Sequence, residues 1–474
     1  MKKLLAMVLC VAMVLALVGC GNTTNNESSS AQESSKTEES SKVEESSKAE
    51  ESSVAETSEA PAETSEETPA AATGRVYYLN FKPEADEAWQ ALAAAYTEQT
   101  GVEVKVVTAA SGTYSDTLTA EMAKSEAPTL YQIGNAQGLA DWNDYALDLS
   151  GTAVFGELTT EDFNLKDESG ATKAIGYCYE SFGIIVNKAL LEQAGHSLDE
   201  ITNFESLKAV VEDIHSRAAE LGFDAFSSSG LDGSSSWRFS GHLANMPLFY
   251  EFRDDNVTEQ PATITGAYLD NFRAIWDLYI NNAAADKTSL TTATGDESEA
   301  EFGTGKAVFY QNGTWEYANL TGNFGMDPAN LAMIPIYCGV AGEENAGLCS
   351  GTENCWAVNS QASEEDIQAT LDFLYWVVTS EEGTKMMAEQ FGAVPFKNAA
   401  ESENVFINDA AALLAEGKYA VTWAFNYTPN VDSWRATVVT ALAAYSADQT
   451  DENWAKVVEA FVDGWAYEYS VING

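Results

Sequence analysis

Apolar and polar positions between residues 76 and 133 alternate between a strand period and a helix period. A short run of β-prone residues begins at Val76, and the apolar residues after Glu84 recur at helical spacing until Gly101 ends the pattern. The predicted elements are strands at 76–80, 102–107 and 129–133 and helices at 84–100 and 115–123. Such βαβαβ alternation predicts an α/β fold with a mainly parallel sheet and helices on both faces.

The loops that follow these three strands are candidate binding loops. In open α/β sheets, ligands bind beyond the carboxyl ends of the strands. The three loops are Asn80–Phe81, Ala109–Tyr114 and Gly134–Gln137. We therefore expect these loops to lie close to a ligand site.

The first twenty residues have a pattern of their own. Lys2 and Lys3 precede an uncharged apolar run from Leu4 to Val18, and Gly19-Cys20 follows. A transmembrane helix needs about 20 apolar residues, so this shorter run favours a cleaved secretory signal. The sequence Leu17-Val18-Gly19-Cys20 resembles the lipobox of bacterial lipoproteins. The resemblance implies a signal peptide at 1–19, a lipid on Cys20 and a chain anchored at the outer face of the bacterial cytoplasmic membrane.

Residues 20–73 have the composition of a tether. The hexapeptide Glu-Ser-Ser-Lys-x-Glu is repeated three times from Glu33 to Glu50, and the segment contains 13 Glu and no aromatic residue. Such a segment cannot bury enough apolar surface to offset its chain entropy. The sequence therefore predicts a disordered Ser/Glu-rich tether between the lipid and the rest of the chain.

Residues 74–474 are enough for two hydrophobic cores, and all 11 Trp lie there. The net charge of the chain is −49, which disfavours nucleic acid and anionic membrane surfaces as partners because both repel it. The spacing of the cysteines leaves their disulfide state open and does not favour a structural zinc site. These cysteines are Cys178, Cys338, Cys349 and Cys355.

Three blocks, in this order, carry a family resemblance. They are Ala174–Gly195, Glu301–Trp315 and Pro335–Pro395. The first contains Val186-Asn187-Lys188, and the second contains Gly303-Thr304-Gly305-Lys306 and ends in Gly313-Thr314-Trp315. The blocks resemble the extracellular solute-binding proteins of bacterial ABC importers, the group that contains maltose-binding protein. Val186 stands where that family usually has tyrosine.

The resemblance implies a two-lobed fold like that of periplasmic binding proteins, in which each lobe is a mainly parallel sheet flanked by helices and strands cross at a hinge. It places residues 74–177 and 333–392 in lobe I and residues 178–332 and 393–474 in lobe II. It also implies that the cleft between the lobes captures a carbohydrate of the oligosaccharide class and that the protein delivers it to a membrane permease. The expected protein is a monomer that needs no cofactor, no metal and no catalytic residue.

A sugar presents an apolar face of C–H bonds and a rim of hydroxyl groups, which aromatic rings and polar side chains can bind. The resemblance places Trp315 at the cleft after Gly313, and it places Glu180 there as a carboxylate seven residues before Asn187. The further candidate ligand-binding residues are Asn80, Asn135, Gln137, Trp237, Trp423, Asn426 and Trp434.

Two other functions remain open on the sequence. Relatives with this fold also take polyamines and other non-sugar solutes. A secreted glycoside hydrolase is the alternative enzyme, since 73 acidic residues supply carboxylate pairs by chance. Gly347-Leu348-Cys349-Ser350-Gly351 matches a nucleophile-elbow pattern, but a strand is expected after it where an elbow requires a helix. We therefore expect a binding protein and no enzymatic activity.

Overall fold

The structure is a computed structural model that describes residues 74–474, so the predicted signal peptide, Cys20 and the predicted tether lie outside the described residues. All five elements predicted from periodicity near the start of this region are present. They are β1 Arg75–Asn80, α1 Asp86–Thr100, β2 Glu103–Thr108, α2 Tyr114–Met122 and β3 Leu130–Ile133. Helix α1 ends as expected at Gly101, whose φ of 77° is the left-handed conformation that glycine adopts without strain.

The rest of the described chain continues to mix strands and helices. The further strands are β4 Leu165–Lys166, β5 Thr172–Gly176, β6 Glu180–Asn187, β7 Asp224–Phe226, β8 Ala307–Gly313, β9 Leu331–Ile334, β10 Ala346–Gly351, β11 Cys355–Val358 and β12 Tyr419–Thr422. The further helices are α3 Ala136–Trp142, α4 Ala153–Gly156, α5 Lys188–Gln193, α6 Phe204–Ser216, α7 Ala218–Leu221, α8 Asn245–Asp255, α9 Leu269–Asn281, α10 Gly295–Gly303, α11 Glu316–Gly322, α12 Glu364–Thr379, α13 Glu381–Gln390, α14 Val405–Ala415, α15 Val431–Ala447 and α16 Asp451–Asn473. A π-helix spans Arg238–Leu243.

The strands of residues 74–474 form two sheets, which confirms the two-lobed α/β fold expected from the sequence. The first sheet has the order β2-β1-β3-β11-β5-β4. The second has the order β12-β10-β6-β8-β7, and β9 also pairs with β6. Each sheet packs against its own hydrophobic core: Trp89 and Trp356 are fully buried in the first lobe, and Trp276 and Trp465 in the second.

Both sheets are mixed, which corrects the expectation that they are mainly parallel. Strand β1 runs parallel to β2 and β3, but β11 runs antiparallel to β3 and β5. In the second sheet, β6 is antiparallel to β8, β9 and β10. The reason is topological. Strands β6 and β11 enter their sheets directly from the other lobe, without the helical crossover that makes neighbouring strands parallel.

The strands also change the expected boundaries of the lobes. Strands β9 and β10 pair within the second sheet, so residues 333–351 lie with the second lobe although the resemblance placed 333–392 in the first. Phe396, beyond the expected end at residue 392, packs in the core of the first lobe. The resemblance assigned segments to lobes by their order along the chain, whereas membership of a sheet depends on which strands pair, so the pairing of β9 and β10 moves this boundary.

Three segments connect the lobes. The chain leaves the first sheet after β5 and enters the second at β6, and it returns between β10 and β11. A third crossing lies between Phe396, in the core of the first lobe, and Phe406, which packs beneath the second sheet. The three short crossings leave a cleft between the lobes that is open to ligands.

Candidate functional site

A cavity of about 250 Å³ lies in this cleft and is lined from both lobes. The first lobe contributes residues of the loops after β1 and β2, as expected for the carboxyl ends of parallel strands. The loop after β3 lies outside the lining. The aromatic residues of the lining are Phe81, Tyr114, Trp237, Trp315 and Trp423, and its ionisable residues are Lys82, Glu84, Glu180, His242, Glu353, Asp432 and Arg435.

Gln132 on β3 holds the loop after β1 in place. Its Oε1 accepts hydrogen bonds from the backbone N–H of Phe81 at 2.6 Å and from the hydroxyl of Tyr78 at 3.1 Å. The ring of Phe81 then lies edge to face with Tyr114, with ring centroids 5.3 Å apart. Gln132 is 3% exposed, so its amide serves the loop and not a ligand. The first lobe therefore presents Phe81 and Tyr114 as a fixed aromatic surface.

A buried ion pair joins this loop to the second sheet. The Nζ of Lys82 lies 2.9 Å from Oε1 of Glu180, the first residue of β6, and 3.0 Å from Oε1 of Glu84. Lys82 and Glu180 are only 5% and 4% exposed. Burial by itself would lower the pKa of Lys82, but the charges of Glu180 and Glu84 outweigh it, and the pKa of Lys82 lies above its ordinary value. Lys82 therefore stays charged.

Asn354, which lies in the crossing between β10 and β11, completes this network. Its Nδ2 donates to the other carboxylate oxygen of Glu180 at 2.7 Å. Its Oδ1 accepts a long hydrogen bond of 3.4 Å from the hydroxyl of Tyr177, which in turn accepts one from Gln132. Two crossing segments and two strands are thus connected by side-chain hydrogen bonds at the base of the cleft. Both oxygens of Glu180 are occupied within the protein.

Trp315 lies on the wall formed by the second lobe. Its ring folds back over Gly313 at the end of β8, where an added Cβ would come within 2.2 Å of the indole. Glycine is therefore required at residue 313 for the ring to take this position. The Nζ of Lys82 lies 5.4 Å from the centre of the ring, a cation–π contact across the cleft.

The π-helix presents Trp237 and His242 side by side. Residues five apart point in different directions on an α-helix, but a turn with i to i+5 hydrogen bonds stacks them on one face. The backbone N–H of Ala244 donates to Phe239 in this register. The rings of Trp237 and His242 meet edge to face with centroids 5.0 Å apart. The irregular turn therefore builds a continuous aromatic wall.

His242 is the polar group within this wall. Its ring stacks on Phe182 with centroids 4.0 Å apart and an angle of 8° between the planes, and it lies 5.3 Å from the ring of Trp315. Burial, reinforced by the positive charges of Arg435, Arg238 and Lys82, lowers the pKa of His242 well below its ordinary value. The imidazole is therefore neutral at physiological pH.

Trp423 and Arg435 extend the wall. An added Cβ on Gly351 would lie 2.5 Å from the ring of Trp423, so this contact also depends on glycine. The guanidinium of Arg435 packs against Gly241 of the π-helix and lies 5.4 Å from the ring of Phe425. The second lobe thus combines three indoles with a neutral imidazole and a guanidinium.

The structure brings four of the nine sequence-predicted residues to this cavity, and they come from distant parts of the chain. They are Glu180, Trp237, Trp315 and Trp423. Asn80 is fully buried beneath the cavity, where Nδ2 donates to the carbonyl of Lys82 at 2.7 Å and Oδ1 accepts from its N–H at 3.1 Å. Asn80 therefore shapes the turn that carries Lys82 and does not line the cavity.

Four other predicted residues lie outside the cavity lining. Asn135 caps helix α3 by accepting from the N–H of Gly138, and Gln137 bonds to Asp141 one turn along that helix. The Nδ2 of Asn426 donates to the carbonyl of Thr352. Trp434 is 1% exposed and donates from Nε1 to a backbone carbonyl at 3.0 Å, so it is a core residue. Polar loop positions and aromatic content do not distinguish a cap or a core residue from a ligand contact.

Ten residues of the cavity lining were not predicted from the sequence, and five of them are polar side chains that shape the site. These five are Lys82, His242, Glu353, Asn354 and Arg435. Lys82 directly follows the predicted loop Asn80–Phe81, so extending that loop by one residue would have identified it. His242 and Arg435 had no such signal, because an irregular helical turn brings the first to the cavity and helix α15 brings the second.

Residues 91–416 match the sequence profile of the bacterial extracellular solute-binding proteins. The chain belongs to this family. No curated protein matches it in sequence. None of the helices within residues 74–474 combines the length and the apolar composition that a membrane crossing requires.

Solved structures show how this solute-binding protein compares with others of its fold. The GacH receptor of Streptomyces glaucescens, studied without ligand and with acarbose, is 19% identical with a TM-score of 0.63, covering 84% of this chain and 99% of GacH. A sugar transporter protein of Bacillus licheniformis in complex with stachyose is 16% identical with a TM-score of 0.62, covering 83% and 100%. RafE of Streptococcus pneumoniae in its apo form is 15% identical with a TM-score of 0.58, covering 83% and 98%. At these identities the likeness concerns the fold.

Proposed function

We propose that this solute-binding protein captures a carbohydrate between its lobes and delivers it to the transmembrane subunits of an ABC importer. The observation that carries the proposal is the aromatic wall of Trp237, Trp315 and Trp423 facing Phe81 and Tyr114 across one cavity. Aromatic rings on both sides suit the apolar faces of a sugar ring, and the polar side chains between them suit its hydroxyl groups. Similar proteins are described in complex with raffinose, stachyose and acarbose.

Capture requires the lobes to close on the ligand. A ligand that touches both walls favours the closed arrangement by the difference between its affinities for the closed and open states. The three crossing segments are the elements that can bend, because the sheets on either side have their own cores. We expect ligand contacts from both walls to be needed for full affinity.

The remaining parts of the proposal concern attachment and assembly. We propose that Cys20 carries the lipid, that residues 20–73 are the tether and that the protein is a monomer at the outer face of the cytoplasmic membrane. The lipobox-like sequence Leu17-Val18-Gly19-Cys20 supports the lipid, and the absence of aromatic residues between 20 and 73 supports the tether. Such an anchor leaves the binding lobes free to meet a permease in the same membrane.

We further propose that the protein does not hydrolyse the sugar. Glycoside hydrolysis uses two carboxyl groups on opposite sides of the bond, and Glu180 is already held by Lys82 and Asn354. Burial raises the pKa of Glu353, partly offset by the charge of Arg435, so Glu353 is the residue that a hydrolase would use as its acid. Reducing-sugar release by the wild type that disappears in Glu353→Gln would contradict this part of the proposal.

Calorimetry with raffinose, stachyose, acarbose, galactose and a chitin oligosaccharide tests the binding proposal. We expect at least one of these sugars to bind. We expect Trp315→Ala to lower the affinity for that sugar by about 30-fold, because a central aromatic anchor contributes about 2 kcal/mol. Trp376→Ala is the matched control, since Trp376 is a half-buried indole on α12 outside the cavity.

The same titrations address the cation alternative. A polyamine would bind through the carboxylates of the cavity, so its affinity would fall steeply as salt is added. A sugar has no charge, and its affinity should change little between low and physiological salt. Binding of a polyamine with strong salt dependence, and of none of the sugars, would replace the carbohydrate proposal.

A further inference from the structure

The two lobes touch directly at one edge of the cleft. Gly112 belongs to the loop after β2, and Gly233 belongs to the loop after β7. The two backbones lie so close that a Cβ added to Gly112 would stand 2.6 Å from the carbonyl oxygen of Gly233. Gly112 also lines the cavity, so this contact lies at the boundary of the site. It joins backbone to backbone, without any side chain.

The strand order shows where along the cleft this contact lies. Strand β2 is the end strand of the first sheet, and β7 is an end strand of the second. Two of the crossings leave from β5 and β10 and enter at β6 and β11, which are at least two strands away from β2 and β7. Neighbouring strands are about 4.8 Å apart, so the contact lies roughly 10–15 Å from these crossings. It therefore closes the edge of the cleft that moves most when the lobes rotate about the crossings.

The loop of the first lobe is a rigid turn. The carbonyl of Ala110 accepts hydrogen bonds from the backbone N–H of Thr113 at 3.0 Å and from its hydroxyl at 2.8 Å. Gly112, the third residue of this turn, has a φ of 74°, as a type II turn requires there. The position of Gly112 is therefore fixed relative to its own lobe.

The loop of the second lobe is held just as firmly. Oδ1 of Asp232 accepts hydrogen bonds from the backbone N–H of Ser234 at 3.0 Å and from its hydroxyl at 2.8 Å. The same hydroxyl oxygen accepts from the backbone N–H of Gly295, at the start of α10, at 3.0 Å. Gly233 lies between these two anchored residues. Because both loops are fixed to their own lobes, the contact forms and breaks only when the lobes move.

We propose that Gly112 and Gly233 form a gate that holds the lobes together at the far edge of the cleft, so that a captured sugar leaves only after the gate opens. This inference rests on the proposed function, because it concerns how long the sugar stays bound. The gate needs glycine at residue 112. Non-bonded atoms rest about 3.5 Å apart or more, so a methyl group there would push the two loops apart by roughly 1 Å.

Gly112→Ala places that methyl group in the gate. We take the sugar that binds best among raffinose, stachyose, acarbose, galactose and a chitin oligosaccharide and measure its rates by stopped-flow fluorescence. We expect dissociation to be faster by about 10-fold and association to change by less than about twofold, because the methyl group acts on the closed state. Gly170→Ala is the matched control and should keep both rates within about twofold of the wild type. Gly170 also has a positive φ, 85°, and lies in a turn of the first lobe, but no atom lies within 4 Å of its added Cβ.

A measurement without sugar separates the gate from a direct clash between the methyl group and the ligand. Spin labels on Ala120→Cys in α2 and Asp296→Cys in α10, both exposed positions, report the distance between the lobes by pulsed electron paramagnetic resonance. Cys10 and Cys20 are replaced by alanine in this chain, and the cysteines within residues 74–474 are buried and stay unlabelled. We expect a longer label distance in Gly112→Ala and an unchanged one in the control variant.

A variant in the second lobe keeps the gate testable if Gly112→Ala fails to fold. Asp232 does not line the cavity, and Asp232→Ala removes the acceptor that fixes Ser234 beside Gly233. Asp232→Asn keeps an oxygen at that place. We expect Asp232→Ala to lengthen the label distance and to raise the dissociation rate by about threefold, because one anchoring hydrogen bond is lost, and we expect Asp232→Asn to restore both values.

The outcomes separate this inference from the proposed function. An unchanged label distance in Gly112→Ala, or in Asp232→Ala where the first variant does not fold, refutes the gate whether or not a sugar binds. A longer distance with unchanged dissociation of a bound sugar also refutes it. If no sugar in the panel binds, the proposed function is refuted, and a longer distance still supports the contact as the gate of the cleft. A longer distance together with faster dissociation supports both.

Discussion

The buried pair of Lys82 and Glu180 offers the sharpest prediction about stability. The two side chains come from different lobes and are almost fully buried, and the Nζ–Oε1 distance is 2.9 Å. Glu180→Gln keeps the size of the side chain and an oxygen that can accept from Asn354, but it removes the negative charge. The charge of Lys82 then remains in a buried environment with only Glu84 to balance it.

The expected magnitude follows from these contacts. Removing one partner of a buried ion pair typically costs about 3–5 kcal/mol, because the other charge is left uncompensated. Glu84 is 33% exposed and stays 3.0 Å from Lys82, so part of the compensation is retained. We therefore expect Glu180→Gln to lower the free energy of unfolding by about 2–3 kcal/mol. The double variant Lys82→Met/Glu180→Gln removes both charges and should recover most of that loss.

Urea unfolding at pH 7, followed by tryptophan fluorescence, measures these differences. Glu161→Gln is the control, since Glu161 and Lys166 form an exposed pair at 2.7 Å that should contribute little. Two results would refute the argument that burial makes the pair strongly coupled. One is a loss of stability below about 1 kcal/mol in Glu180→Gln. The other is a double variant whose loss of stability equals the sum of the losses in Lys82→Met and Glu180→Gln.

Three further predictions concern the wall, pH and attachment. Gly313→Ala should displace the ring of Trp315, whose nearest atom would lie 2.2 Å from the added Cβ, and we expect calorimetry to show sugar binding weakened about 10-fold. Gly322→Ala is the control and should bind normally, because no atom lies within 4 Å of its added Cβ. Burial and nearby cationic side chains lower the pKa of His242, so its contribution to stability is complete above the ordinary histidine pKa of about 6.5 and declines below it. His242→Phe should remove that part of the acid sensitivity in thermal melts, and an unchanged pH profile would contradict it. Cys20→Ala should move the protein from the detergent phase to the aqueous phase with its affinity unchanged, and continued partition into detergent would argue against a single lipidated cysteine.

Local patterns were sufficient for much of the fold. The alternating periods between residues 76 and 133 predicted β1, α1, β2, α2 and β3, because buried faces of strands and helices repeat at fixed spacings. The three blocks were sufficient to identify the family, and the match of residues 91–416 to the family's sequence profile confirms it. The rule that ligands bind beyond the carboxyl ends of strands identified the loops after β1 and β2, but the loop after β3, which it also predicted, lies outside the cavity lining.

Positions that depend on long-range neighbours could not be read in this way. Trp423 and Trp434 stand 11 residues apart in one aromatic stretch, yet the first lines the cavity and the second is enclosed in the core. Nothing in the residues themselves separates the two, since both are buried indoles. What differs is the surrounding packing, which is set by segments far away in the chain.

The sequence by itself determined the two-lobed α/β fold, the family, and an aromatic residue, Trp315, on the wall of the cleft. Only the tertiary structure decided which charges meet. Lys82 and Glu180 are 98 positions apart, and their pairing places Glu180 at the base of the cleft. The physical reason is that periodicity records which side of an element is buried, whereas hydrogen-bond partners are set by how separate elements pack. The same packing brought His242 and Arg435 to the cavity, which no local pattern could have indicated.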